Sequence, residues 1–310
     1  MPNSGWQRWR KRCGAAALVA MCSVWAWMAP VSAAPETPVD DEVMAQGAPT
    51  PIITDRAWVP IARRLGTCEP ISGVSYADTP ASGYPAGDPP ADQHPDLNLS
   101  LRGWIRNPNA HLGLVDYSGS TDAKAPQLLG LLSDRRAPVF SAAYRVYDWN
   151  WANNTRGAPL TTYDATLAGL QTIPGETVHV PASGYNIGDT ARYEVLVLYA
   201  DQDSLTLKYT RDDNVIRGYT LHLEGLCVEP RLLALYEADN AAGRSRLPGL
   251  VEYQAVGRAA GTEIQVAIRD NGAFMDPRSH KDWWRAVVSA RQPVEQQPTM
   301  RHDVTGQSQQ

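Results

Sequence analysis

Residues 262–277 read TEIQVAIRDNGAFMDP, and the alternation inside them decides the fold class. Ile264, Val266 and Ile268 fall on one side of an extended chain, and Glu263, Gln265, Ala267 and Arg269 on the other. That is the period of a strand rather than of a helix. The expectation is a strand with Ile264, Val266 and Ile268 in a core and with Glu263 and Gln265 facing a groove.

Working outward, strand signals dominate. Tyr193–Ala200 (YEVLVLYA) is apolar on both faces, as a covered central strand would be. Leu205, Leu207 and Tyr209 alternate with Ser204, Thr206, Lys208 and Thr210, which predicts a half-buried strand. Phe140, Ala142, Tyr144 and Val146 alternate with smaller or polar residues. The clearest helix runs from Pro230 to Ala242, with proline in its first turn, Leu232, Leu233 and Tyr236 on one stripe, and Gly243 as the stop. A shorter one is expected through Leu128, Leu129, Leu131 and Leu132. Residues 79–95, with five prolines, read as a loop. The fold class expected is mainly β, an antiparallel sheet with a few short helices.

The ends read differently. Arg8, Arg10, Lys11 and Arg12 precede the apolar run Cys13–Met28, and Val31-Ser32-Ala33 offers small residues for cleavage, so residues 1–33 read as a signal peptide. The run is short for a bilayer span, which needs roughly 20 residues. Residues 34–55 read as a disordered leader, 56–290 as a single β-rich domain and 291–310 as a disordered tail. Cleavage after Ala33 removes four of the 28 Lys and Arg, leaving 24 against 33 Asp and Glu, a net charge of −9. Such a balance argues against a nucleic-acid partner. No other apolar run is long enough to span a membrane, and the expected location is secreted, periplasmic or otherwise extracytoplasmic. Cys13 and Cys22 leave with the signal. The remaining pair, Cys68 and Cys227, reads as a disulfide in an oxidising compartment, with two buried thiols as the alternative.

The order of segments resembles the lysostaphin-type zinc endopeptidases. A strand and its hairpin partner, VLVLYADQDSLTLKYT from Val195, lead into GYTLHLEGLCV at 218–228. After the helix come YQAVGRAAG at 253–261 and the opening stretch, which matches the family's histidine-x-histidine strand, its turn and its Asp-Pro. Upstream, HPDLN at 94–98 resembles the first metal motif, a histidine and an aspartate separated by three residues. APVFSAAYRVYDW from Ala137 resembles the strand after it. The resemblance implies a duplicated-hairpin fold, with His94 as a metal ligand and His222 as a catalytic histidine.

The departures fall on the metal. Asn98 stands where the family has aspartate, and Glu263 and Gln265 stand where it has its two histidines. Tyr219 precedes His222 by three residues where the family has two, which puts them on opposite faces of a strand. A rearranged site could still draw on His94, Asp96, His222 and Glu263, a donor set acceptable to zinc or a harder cation. Without one, no cofactor is expected.

Six tryptophans remain after the signal, Trp58, Trp104, Trp149, Trp151, Trp283 and Trp284, against two phenylalanines. Trp149 and Trp151 would share a face if their strand continues, beside Asp148, Asn150 and Asn153. Such a surface suits sugar stacking, although filling a Phe-poor core is the commoner use of large aromatics. Trp283-Trp284 is expected to seal the core. Arg211-Asp212-Asp213-Asn214 reads as a hairpin turn. No G-x-S-x-G elbow, phosphate loop or dinucleotide fingerprint occurs. The expectation is a secreted cell-envelope protein that binds cell-wall glycan or peptide without catalysis; the alternative is a metal-dependent endopeptidase with a rearranged site.

Overall fold

The computed structural model describes residues 68–287, except 86 and 189–191. The expected signal peptide, leader and tail, and Trp58, lie outside the described residues. All the described residues belong to one compact unit.

The large sheet is antiparallel. Its path runs β1 (Ala77–Pro80), β11 (Arg246–Leu250), β7 (Val195–Ala200), β8 (Ser204–Lys208), β9 (Tyr219–Glu224), β13 (Glu263–Asp270), β5 (Leu167–Gln171), β3 (Phe140–Asn150), β2 (Trp104–Arg106). Two strands join off this path: β14 (Ala273–Met275) pairs with β13 and β4 (Thr155–Pro159) with β3. A second sheet orders β10 (Leu226–Val228), β12 (Ala255–Ala259) and β6 (Thr177–His179). The described helices are short: α1 (Leu99–Arg102), α2 (Pro230–Ala241) and α3 (His280–Trp283). The protein is mainly β.

Register explains the core. Leu207 pairs with Leu221 and Leu221 with Ile268; Leu205 pairs with Leu223, Leu223 with Val266 and Val266 with Ala168. These cross-strand rows share one face and belong to the main hydrophobic cluster. Each such leucine or isoleucine stabilises by roughly 1.5–3 kcal/mol when fully buried. Ile264, Val266 and Ile268 are buried as expected, and all six residues of β7 are buried.

The opposite face carries Thr206, His222 and Ala267 in one row and Lys208, Thr220 and Arg269 in the next. The sequence predicts this side of β8 to be open; instead Ser204, Thr206 and Lys208 are all buried. Residues 94–102 and Phe274 cover this part of the face. Thr206 Oγ1 donates to the Leu97 carbonyl at 2.7 Å, and Phe274 stacks on His222 at 6.2 Å. The polar residues of β8 mark a buried hydrogen-bonded layer rather than a solvated one.

Local chemistry sets the ends. Glu229 caps α2 by accepting from the Arg231 and Leu232 amides; Pro230 follows in the first turn, and Gly243 at φ +92° closes the end. Residues 128–131 make a 3-10 turn rather than an α-helix. The span 79–95 is not all loop: Thr79 and Pro80 extend β1, and residues 91–93 form a 3-10 turn. A bulge between Phe140 and Ala142 breaks the expected alternation in β3. Phe140 therefore joins the main cluster while Val146 packs with Leu99, Leu167, Ala267 and Phe274 on the other side. Trp283 and Trp284 are both buried in the core, as expected. Cys68 and Cys227 form a disulfide across 159 residues with Cα atoms 5.6 Å apart.

Candidate functional site

The segment 91–102 carries the first set of expected ligands. His94 follows the 3-10 turn, and its carbonyl accepts from the Leu97 and Asn98 amides. His94 Nδ1 accepts from the Asp96 amide at 3.1 Å, so the ring proton sits on Nε2 and points to Asp88 Oδ2 at 3.1 Å. Both ring nitrogens are therefore engaged.

Asn98 caps α1. Its Oδ1 accepts from the Ser100 amide at 3.2 Å and the Ser100 hydroxyl at 2.5 Å, while Nδ2 donates to the Asp92 carbonyl at 3.0 Å. An aspartate here could cap the helix but could not make that donation.

Asp96 lies in a buried ionic knot. Its Oδ1 accepts from Arg102 Nη2 at 2.6 Å, Arg102 Nε at 3.1 Å and Arg269 Nη1 at 2.8 Å. Burial raises its pKa, but the Arg269 and Arg102 guanidiniums outweigh burial and hold the carboxyl down to about 2. Phe274 lies against both guanidiniums, 4.5 Å from Arg269 and 5.6 Å from Arg102.

His222 is completely buried. The single Thr206 hydroxyl proton goes to the Leu97 carbonyl, so His222 Nδ1, 2.9 Å from Thr206 Oγ1, is the donor. The Nε2 lone pair is then buried without a partner. Burial drives the His222 pKa well below its usual value, and Arg269 pushes the same way. Tyr219 faces the other side, against Trp283, as the three-residue spacing predicts.

Glu263 and Gln265 belong to a third group. Glu263 Oε2 accepts from Ser141 Oγ at 2.5 Å, and Oε1 accepts from Gln265 Nε2 at 2.6 Å and Tyr144 OH at 3.0 Å. Gly169 makes room: a Cβ there would meet Glu263 Oε2 at 2.5 Å. Both side chains are partly exposed on the face opposite Ile264, as the alternation predicts.

Among the described residues no three His, Cys, Asp or Glu side chains gather as a metal-holding group. His222 Nε2, buried without a partner, offers one nitrogen among Arg269, Arg102 and Lys208, whose charges repel a cation. A zinc site needs three or four such donors. The residues that the resemblance sets at metal positions therefore do not fit a zinc ion.

Beside His94 lies a cleft of about 360 Å³, lined by Tyr84, Asp88, His94, Trp151 and Ile216 among others. β3 ends at Asn150, whose Oδ1 accepts from the Ala152 and Asn153 amides and turns the chain. That turn separates the two tryptophans expected on one face. Trp151 reaches the cleft and meets the His94 ring at 5.5 Å, while Trp149 Nε1 donates to Asn154 at 3.3 Å. Asp213 also lines the cleft, but it is not an exposed hairpin residue as its sequence suggests. It is buried in a two-point pair with Arg244, at 2.6 and 2.8 Å. A pairing partner 31 residues away leaves no local sequence signal.

A second cavity, of about 270 Å³, is lined by Tyr117, Tyr163, Asp122, Asp270 and Trp283 among others. The sequence reading missed it, because its walls come from four separated segments. No family model, curated protein or solved structure matches the chain.

Proposed function

We propose that the protein is exported to the cell envelope and binds cell-wall glycan or peptide without catalysis, using a domain that diverged from the lysostaphin-type peptidases. The observation that carries this reading is the state of His94. Its two nitrogens are committed to the Asp96 amide and to Asp88, yet its ring wall borders an open cleft. The position that holds metal in the family here supports a binding surface.

Two further features agree. Asp96, Asn98, Glu263 and Gln265 each have structural partners, so no metal-bound water is available to attack a peptide bond. His222 lacks solvent access and has no electrophile beside it, so it has no route to act as a general base. Export is supported by the cationic and apolar opening segment and by the Cys68–Cys227 disulfide.

The test is sedimentation of the purified protein with isolated peptidoglycan sacculi, with soluble fragments assayed in the same tubes. Co-sedimentation without fragment release agrees with the proposal. Fragment release that a chelator abolishes, or failure to sediment with sacculi, contradicts it.

A further inference from the structure

We infer that the cleft beside Trp151 takes a neutral sugar ring of a glycan strand, which stacks on the indole and donates its hydroxyls to Asp88. This rests on the wall-binding reading and narrows its ligand from wall polymer to glycan.

Trp151 is 52% exposed although the His94 ring packs against it at 5.5 Å, so the indole is steadied without being covered. Ile216, 61% exposed, lines the same cleft. Two large apolar side chains left in water thus border one cavity, and its volume of about 360 Å³ lies in the range of small-molecule sites.

The charged atoms still free there are acceptors. Asp88 uses Oδ2 for His94 and Asp96 uses Oδ1 for its arginines, which leaves Asp88 Oδ1 and Asp96 Oδ2 without partners among the described residues. Two donors also stay free among the described residues, the Trp151 indole N–H and one hydrogen of Asn214 Nδ2; the other polar side chains there are spent. Tyr84 donates to the Pro89 carbonyl, Asn214 bonds to Gly83 and Ile216, and both Asp213 oxygens serve Arg244. A neutral ligand with hydroxyls and an apolar face suits these walls. Sugar hydroxyls above a pyranose ring supply both. A phosphate, or a stem peptide with its carboxylates, would meet Asp88 and Asp96 with no Lys or Arg among the lining residues.

The experiment is calorimetric titration of the protein with the β-1,4-linked tetramer of N-acetylglucosamine and, separately, with a glycan-free stem peptide. The tetramer should bind and the peptide should not. Trp151→Ala should weaken tetramer binding about tenfold or more, the loss expected for an aromatic platform. Trp151→Phe should keep part of the affinity, Asp88→Asn should weaken it, and Trp149→Phe should leave it unchanged. Because Trp151 is exposed, its alanine variant should melt like the parent, which separates lost binding from misfolding. Binding of the peptide but not the tetramer, or tetramer binding indifferent to Trp151→Ala, overturns this inference while the wall-binding proposal stands. If neither ligand binds and sacculi do not sediment the protein, both fall.

Discussion

Asp96 Oδ1 and Arg269 Nη1 stand 2.8 Å apart across 173 residues of sequence, and both side chains are buried. With Arg102 on the same oxygen, this pair fastens residues 94–102 onto the polar face of β13. The same contact leaves Asp96 one free oxygen beside two guanidiniums, whose charges disfavour a cation there.

Replacing Asp96 by Asn should leave two buried guanidiniums facing each other without an anion. Losing one member of a buried pair costs about 3–5 kcal/mol. Urea unfolding should show the midpoint falling by that equivalent at unchanged slope. A change below about 1 kcal/mol would mean that the knot is not what holds the segment.

Acid should remove the same interaction. The folded pKa of Asp96, about 2, lies below its unfolded value, so its stabilisation is full above about pH 4 and lost as pH falls towards 2. The shift corresponds to roughly 2 kcal/mol. Urea titrations at a series of pH values should show Asp96→Asn with a correspondingly weaker loss of stability between pH 4 and 2. Parallel curves for the two proteins would rule the assignment out.

Asp239 on α2 carries the opposite sign. Burial first, and Asp78 second, push its carboxyl up to about 6, and its Oδ2 is buried without a partner. Ionisation is therefore penalised in the folded state, increasingly from about pH 4 and fully above 6. Asp239→Asn should stabilise by roughly 1–3 kcal/mol at pH 8 and by little at pH 4. Equal effects at both pH values would contradict this.

The strand period was legible in the sequence because Ile264, Val266 and Ile268 alternate without interruption, and α2 because Pro230 and Gly243 mark its ends. The disulfide followed from a count of cysteines. What the sequence hid depends on distant partners. Lys208 and Thr206 read as solvated because nothing local shows that residues 94–102 and Phe274 close over them. The β3 bulge at Ser141 and the turn after Asn150 both reset side-chain direction by a single residue, which periodicity cannot foresee. The cleft was half visible: Trp151 and His94 were both singled out, but their contact across 57 residues was not.

Reducing Cys68–Cys227 should destabilise the protein strongly, because the closed loop spans 159 residues. The chain-entropy estimate for so long a loop is about 5 kcal/mol, and measured values commonly fall nearer 2–4. Urea midpoints with and without reductant give the answer. Unchanged midpoints, with thiol titration confirming reduction, would deny the bond a structural role.

Zinc stoichiometry of the gently purified protein tests the central claim most directly. His94 has no free nitrogen, Asp96 is held by two arginines, and Glu263 is satisfied by Ser141, Tyr144 and Gln265. Elemental analysis, followed by titration with added zinc, should find no stoichiometric metal and no saturable site. One equivalent of zinc that His94→Ala abolishes, accompanied by chelator-sensitive cleavage of peptidoglycan, would contradict the account and favour a metallopeptidase.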